Sequence, residues 1–205
     1  MAVRFRFNMS EQDALDLLTA HYMYEVEARR GNLVIDENTH NNLLALAHFI
    51  TQPNPKFGVM LCGTCGNGKT TLLFALRSTI NFLVERGHFE FIKKQDPYFK
   101  PSLRIVDAKE VVQIYKDYPQ FTELRSAPML AIDDLGKEPA EVLDYGNVTN
   151  PVIDLLEYRY MYQKFTCLTT NLDSKQIREK YGTRIADRFN EMLHVIVFQD
   201  ISYRH

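Results

Sequence analysis

An α/β fold built on a parallel sheet is predicted by three observations. Short apolar runs alternate along the 205-residue chain with stretches of helical periodicity. One such run, Phe57–Leu61, passes through a glycine-rich turn straight into a helical stripe. Another, Met129–Ile132, ends in two adjacent carboxylates, Asp133 and Asp134. In open α/β sheets the carboxyl ends of the strands line the ligand crevice.

The glycine-rich turn carries the most chemistry. Residues 57–86 read FGVMLCGTCGNGKTTLLFALRSTINFLVER. Leu73, Leu76, Ile80 and Leu83 recur at helical spacing after the turn, and Gly87 stands where a C-cap belongs. Strand, G-x-x-x-x-G-K-T and helix form a P-loop in its required context. A phosphate chain must be wrapped by backbone N–H groups, so Gly63, Gly66 and Gly68 remove the Cβ atoms that would obstruct the approach. The helix that follows aims its unpaired N–H groups and positive dipole end at the phosphates. Lys69 reaches the β- and γ-phosphates, and the Thr70 hydroxyl is placed to ligate Mg²⁺. The predicted ATP-binding residues are therefore Gly63, Thr64, Cys65, Gly66, Asn67, Gly68, Lys69, Thr70 and Thr71.

Composition bounds the rest. The length suits one α/β domain with a modest appendage. A net charge of −2 gives no global pull toward nucleic acid or an anionic membrane, so any nucleic-acid contact is local. No apolar run is long enough to span a bilayer and no secretory signal opens the sequence, so a cytoplasmic location is expected. Cys62 and Cys65 form a C-x-x-C, but no second ligand pair at zinc spacing accompanies them.

In chain order, residues 1–9 read as a loose or edge-forming arm, in which Val3, Phe5 and Phe7 alternate with Arg4 and Arg6 as in a short strand. Ser10 with Asp13 starts a capped helix that Gly31 ends. Its apolar residues Leu17, Leu18, Tyr22, Tyr24 and Val26 spread over more than one face, which suits either packing on its own domain or docking a partner. Asp36 caps a second helix with Leu43, Leu46, Ala47 and Ile50 on one face, stopped by Pro53 and Pro55. Because that helix leads into the P-loop strand, residues 1–31 are read as an arm and helix, and residues 32–205 as the ATPase core. Residues 87–102 are irregular, aromatic and locally basic, with Lys93, Lys94 and Lys100. They read first as a connecting loop with inward-packed aromatics, and second as a surface for single-stranded DNA.

Leu103–Val106 is a predicted strand, and Lys109–Tyr118 a short helix ended by Pro119. The apolar strand with terminal acids at Met129–Asp134 is a Walker B pattern: Asp133 orients Mg²⁺, and Asp134 orients or deprotonates the attacking water. Residues 137–148 read as a loop, and Asn150-Pro151 as a helix start with Ile153, Leu156 and Tyr160 buried. Phe165–Leu168 is the next strand. It ends in Thr169-Thr170-Asn171, where Asn171 either reaches the γ-phosphate or caps the following helix. Asp173 and Gln176 open that helix and Gly182 closes it. Thr183–Leu193 is another helix, with Arg184 and Arg188 one turn apart, and His194–Phe198 is a last strand.

The series GTCGNGKT, LAIDDLG, LTTNL, TRIADRF and SYR, in that order, resembles the DnaC-type helicase loaders and the related IstB-type transposition ATPases of the AAA+ class, over roughly residues 36–204. The resemblance implies a three-layer P-loop NTPase core with a five-stranded parallel sheet and little or no C-terminal lid. It implies ATP and Mg²⁺ as cofactors, self-association, and action on DNA with a replicative helicase or a transposase. It assigns Asn171 to sensor 1, Arg188 to the arginine finger acting in trans, and Arg204 to sensor 2, with Arg184 as the other arginine for the finger. Helicase loading is the leading expectation, a transposition helper ATPase the second. A small-molecule P-loop kinase is the third, disfavoured because no arginine-bearing lid stands between Asp134 and Asn171.

Overall fold

The computed structural model describes residues 5–29, 35–53, 56–86, 101–144 and 147–199. They fall into two compact units. One comprises Met1–Pro55, Gly63–Leu103 and Ile196–His205, the other Lys56–Cys62 and Arg104–Val195.

The first unit is helical. It contains α1 (Glu11–Ala28), α2 (Glu37–Thr51) and α3 (Lys69–Glu85). Ser10 accepts from the Asp13 N–H and Asp36 from the Thr39 N–H, so both expected caps form and each satisfies an orphan donor of its first turn. Helix α1 packs against α2 and α3. The scattered apolar residues of α1 sort into one buried stripe of Ala14, Leu15, Leu18 and Tyr22, while Tyr24 stays 63% exposed. The expected edge strand before α1 does not form over the described residues. Phe5 and Phe7 are instead buried edge to face, 5.4 Å apart, and the Phe7 N–H donates to Ile50 O at 2.6 Å. Two buried rings gain more by capping α2 than by pairing on an open edge.

The second unit holds the sheet, except for the last two residues of its final strand. Its strands are β1 (Gly58–Cys62), β2 (Arg104–Asp107), β3 (Met129–Leu135), β6 (Phe165–Thr170) and β7 (Leu193–Val197), in the order β2-β3-β6-β1-β7, forming the expected five-stranded parallel sheet. A separate antiparallel hairpin, β4 (Val142–Asp144) with β5 (Asn147–Thr149), lies between β3 and β6 in the chain. It occupies a stretch expected to be loop. Three-residue strands are too short to leave a readable alternation. Helix α4 (Ala108–Tyr115) is capped by Asp107 and followed by α5 (Tyr118–Ser126), capped by Asp117. Pro119 was expected to stop a helix; it sits in the first turn of α5, where a missing N–H costs nothing. Helix α6 (Pro151–Met161) starts on Asn150 as expected, but its fully buried side chains are Val152, Leu155, Leu156 and Arg159, with Ile153 and Tyr160 only partly buried. Helix α7 (Ser174–Met192) has the expected Asp173–Gln176 capping box, and Gly182 breaks it at φ 81, ψ 163.

Arg159 explains how α5 is tied down. Its side chain is 0% exposed, and among the described residues no carboxylate pairs with it. Nε donates to Thr166 Oγ1 at 2.9 Å, Nη1 to Ala127 O at 2.8 Å and Arg125 O at 3.2 Å, and Nη2 to Phe165 O. Lys164 Nζ donates to Ser126 O at 2.8 Å. Carbonyls at the end of α5 that lack helical partners are thus met by two cations. Burial pulls the Arg159 guanidinium down from its ordinary value to about 9. It remains charged at neutral pH.

Candidate nucleotide-binding and hydrolysis site

Strand β1 ends at Cys62 and the chain continues into the glycine loop. Gly63, Gly66 and Gly68 all have positive φ, at 146°, 88° and 90°. A Cβ on Gly63 would meet Phe198 O at 2.5 Å, and one on Gly68 would meet the Tyr22 hydroxyl at 2.9 Å. Both the conformation and the close approach therefore require glycine. Six of the seven described helices are capped by a side chain; α3, capped by Gly68, is not. Its start offers no side-chain acceptor to its own first-turn N–H groups, which suits an anion. Lys69 folds into the loop and is only 6% exposed. Its ammonium donates to Gly63 O at 2.7 Å, Thr64 O at 2.5 Å and Asn67 Oδ1 at 2.9 Å. Asn67 Nδ2 is buried without a hydrogen-bond partner among the described residues, an unsatisfied donor inside the loop. Uncapped helix start, spare donor and folded lysine together fit a phosphate-bearing ligand.

The two acids sit at the carboxyl end of β3, where the ladder to β6 slips. Ile132 is opposite Leu168 and Leu135 opposite Thr170, so β3 carries one extra residue. Such a bulge re-aims a side chain. Asp134 has φ 58. Its N–H donates to Thr169 Oγ1 at 2.8 Å, and the same hydroxyl donates to Asp133 Oδ1. Thr169, 0% exposed, thus fixes both acids at once. Sequence reading passed over it as a strand residue, although a hydroxyl two positions before Asn171 was a signal available to it. Asp134 Oδ2 also meets Lys137 Nζ at 2.6 Å. Burial, with Asp133 nearby, pushes the Cys167 thiol far above its ordinary range, so it stays protonated. The Asp133 carboxylate, at the end of its strand, is an oxygen donor of the kind Mg²⁺ takes, and the Thr70 hydroxyl, in the first turn of α3, is another. No group of three or more His, Cys, Asp or Glu able to hold a metal occurs among the described residues.

The register places Asn171. Cys62 of β1 is opposite Thr170, and so is Leu135 of β3 from the other side. Asn171, exposed and next in the chain, therefore follows the strand lying between the acid strand and the strand that feeds the glycine loop. The capping role it was also allowed goes to Asp173. Arg184 and Arg188 converge on one carboxylate of α6: Glu157 Oε1 lies 3.3 Å from Arg184 Nε and 2.7 Å from Arg188 Nη1. Arg188 also stacks over the Tyr160 ring at 4.8 Å. Asp187 and Glu191, the acids nearest to Arg188 in sequence, are not its partners. Instead Asp187 pairs with Arg178 at 3.3 Å, and Glu191 accepts from the Tyr160 hydroxyl. Glu157 lies on another helix, so sequence spacing held no signal for it. Arg204 and the lysines at 93, 94 and 100 lie outside the described residues.

Comparison with solved structures settles the architecture. The chain is similar to the crystal structure of the DnaC helicase loader, with 22% identity and a TM-score of 0.61 over 82% of this chain and 94% of that one. The two share an α/β fold built on a five-stranded parallel sheet. The crystal structure of DnaI is also similar, with 20% identity and a TM-score of 0.60 over 98% of this chain and 97% of that one. AMPPCP-bound DnaA from Aquifex aeolicus matches with 14% identity and a TM-score of 0.54, over 82% of this chain and 48% of that one. No family model matches the sequence, and no curated protein matches it. Among the described residues, no helix is long and apolar enough to cross a membrane.

Proposed function

We propose that this chain binds and hydrolyses ATP with Mg²⁺ as a cytoplasmic AAA+ protein of DNA replication, and loads a replicative helicase in the manner of DnaC. The observation that carries the reading is the start of α3: a loop of positive-φ glycines runs into a helix with no side-chain cap. Backbone N–H groups of residues 63–71 hold the phosphates, and Lys69 turns from its loop carbonyls to the β- and γ-oxygens. Thr70 and Asp133 would hold Mg²⁺, whose charge would offset that developing on the phosphate oxygens. Asp134 orients the attacking water and accepts its proton, Asn171 positions that water against the γ-phosphate, and Arg188 serves ATP held by a neighbouring copy in a self-assembled oligomer. Arg204 completes the phosphate contacts.

The likeness to the DnaC loader and DnaI, over most of each chain, supports the helicase as partner. Residues 1–31, with Tyr24 exposed on α1, are the proposed docking segment on the 32–205 core. Single-stranded DNA is the proposed nucleic-acid ligand. The test is nucleotide binding by the wild type and by Lys69→Ala, followed by recovery of whatever co-purifies with an Asp134→Asn variant in ATP. Binding that Lys69→Ala abolishes, with a hexameric helicase recovered, meets the proposal. Wild-type affinity in Lys69→Ala refutes the loop assignment, and a transposase in the recovered complex refutes the loading role alone.

A further inference from the structure

An ionic cluster around the buried Glu138 follows the acids in the chain, and none of the roles above uses it. The Glu138 side chain is 0% exposed. Its Oε2 accepts from the Gly136 N–H at 2.8 Å and its Oε1 from the Tyr181 hydroxyl. Lys180 Nζ donates to Gly136 O at 2.7 Å and to Glu138 O at 2.6 Å, and lies 3.6 Å from Glu138 Oε1. Burial, and then the bond to Glu138, hold the Tyr181 phenol far above its ordinary range, so it stays a donor. Three groups of α7 and the loop thus converge on the four residues that follow Asp134.

Stability alone does not account for such a cluster. Taking a carboxylate and an ammonium out of water costs about as much as their attraction returns, and apolar side chains of equal volume often do as well. What the cluster does supply is position. Asp134 holds a left-handed conformation at φ 58, which a non-glycine residue keeps only where its surroundings favour it. On one side Asp134 is fixed by Thr169. On the other, the backbone at Gly136 and Glu138 is fixed by Lys180, and a Cβ at Gly136, φ 108, would meet Leu172 at 2.7 Å. Beyond Tyr181 the helix breaks at Gly182, and Arg184 and Arg188 follow on a segment anchored to Glu157.

We infer that Lys180, with Glu138 and Tyr181, is a positioning group for hydrolysis: it holds the loop that sets Asp134 and fastens that loop to the helix bearing Arg184 and Arg188. This rests on the ATPase reading above. In this role the cluster acts through Asp134.

The experiment compares wild type, Tyr181→Phe, Lys180→Met and the apolar triple variant Glu138→Leu/Lys180→Met/Tyr181→Phe. Nucleotide affinity, single-turnover ATP hydrolysis and melting temperature are read for each. Turnover is expected to fall about 10- to 100-fold in Lys180→Met and in the triple variant, with nucleotide Kd within about twofold of wild type. Tyr181→Phe keeps the ring and is expected to show a smaller loss of the same kind. The triple variant separates position from stability, because its melting temperature recovers while its turnover does not. Wild-type turnover in a stable triple variant overturns the inference, and so does a Kd that weakens in step with turnover. If Tyr181→Phe is the only variant that folds, its turnover decides: a loss at unchanged Kd supports the inference, and wild-type turnover overturns it. A wild type that binds ATP without hydrolysing it overturns the ATPase reading and this inference with it. A hydrolysing wild type with unaffected variants overturns the inference alone.

Discussion

Replacing Arg159 by methionine removes a guanidinium that is 0% exposed and serves four acceptors, Thr166 Oγ1, Arg125 O, Ala127 O and Phe165 O. Three of the four are backbone carbonyls that no second substitution can make apolar. A stranded buried acceptor costs about 1–3 kcal/mol, while relief from desolvating the cation returns part of the sum. Three stranded carbonyls at that cost, less the desolvation returned, leave an expected loss of about 3–5 kcal/mol. For a chain of this length it corresponds to a fall in melting temperature of roughly 6–20 °C. The acceptors lie at the end of α5 and the start of β6, the amino-terminal end of the sheet, whereas Asp133, Asp134 and Asn171 lie at the carboxyl end. Nucleotide affinity should therefore be unchanged in folded protein. Thermal melting followed by far-UV circular dichroism, with nucleotide titration below the transition, measures both. A drop smaller than about 2 °C would refute the assignment of Arg159 as the tie between α5 and the sheet.

Other substitutions separate the remaining roles. Asp134→Asn should keep ATP–Mg²⁺ binding and lose hydrolysis, whereas Asp133→Asn should also weaken Mg²⁺-dependent binding; normal turnover in both, measured as phosphate release, would displace the Walker B assignment. An Arg188→Ala subunit, inactive alone, should regain hydrolysis when mixed with an inactive Lys69→Ala subunit, because one chain keeps the nucleotide loop and the other the finger. A confirmed co-assembly that stays inactive rules out the finger in trans. Gly182→Ala should cost about 1–3 kcal/mol in denaturant unfolding, since φ 81 with ψ 163 is a glycine conformation while no atom lies within 4 Å of the added Cβ. A neutral result would mean that α7 can straighten through its break.

Much of the chain was legible from local pattern. The caps at Ser10, Asp36, Asn150 and Asp173 are local hydrogen bonds between neighbours in the chain, so the sequence determines them wherever the helix packs. The same holds for the glycine loop, whose chemistry is set by backbone conformation within nine residues, and for the apolar strands that end in acids. Local pattern misled where it depended on length or on one residue type: Pro119 belongs to the first turn of a helix rather than to its end, and two strands of three residues were too short to read.

Tertiary structure alone decided the partnerships. Thr169 serves both acids because β6 pairs with β3 across a one-residue bulge, and ladder register is a property of two strands, 36 residues apart in that bond between Thr169 and Asp133. Arg184 and Arg188 share Glu157 because α6 and α7 pack together, and Arg159 is buried because the end of α5 presents carbonyls to it. A side chain's type states which bonds it is able to make. Which bond it makes depends on what burial brings within about 3 Å, and that distance is fixed only when the whole sheet and its helices close together.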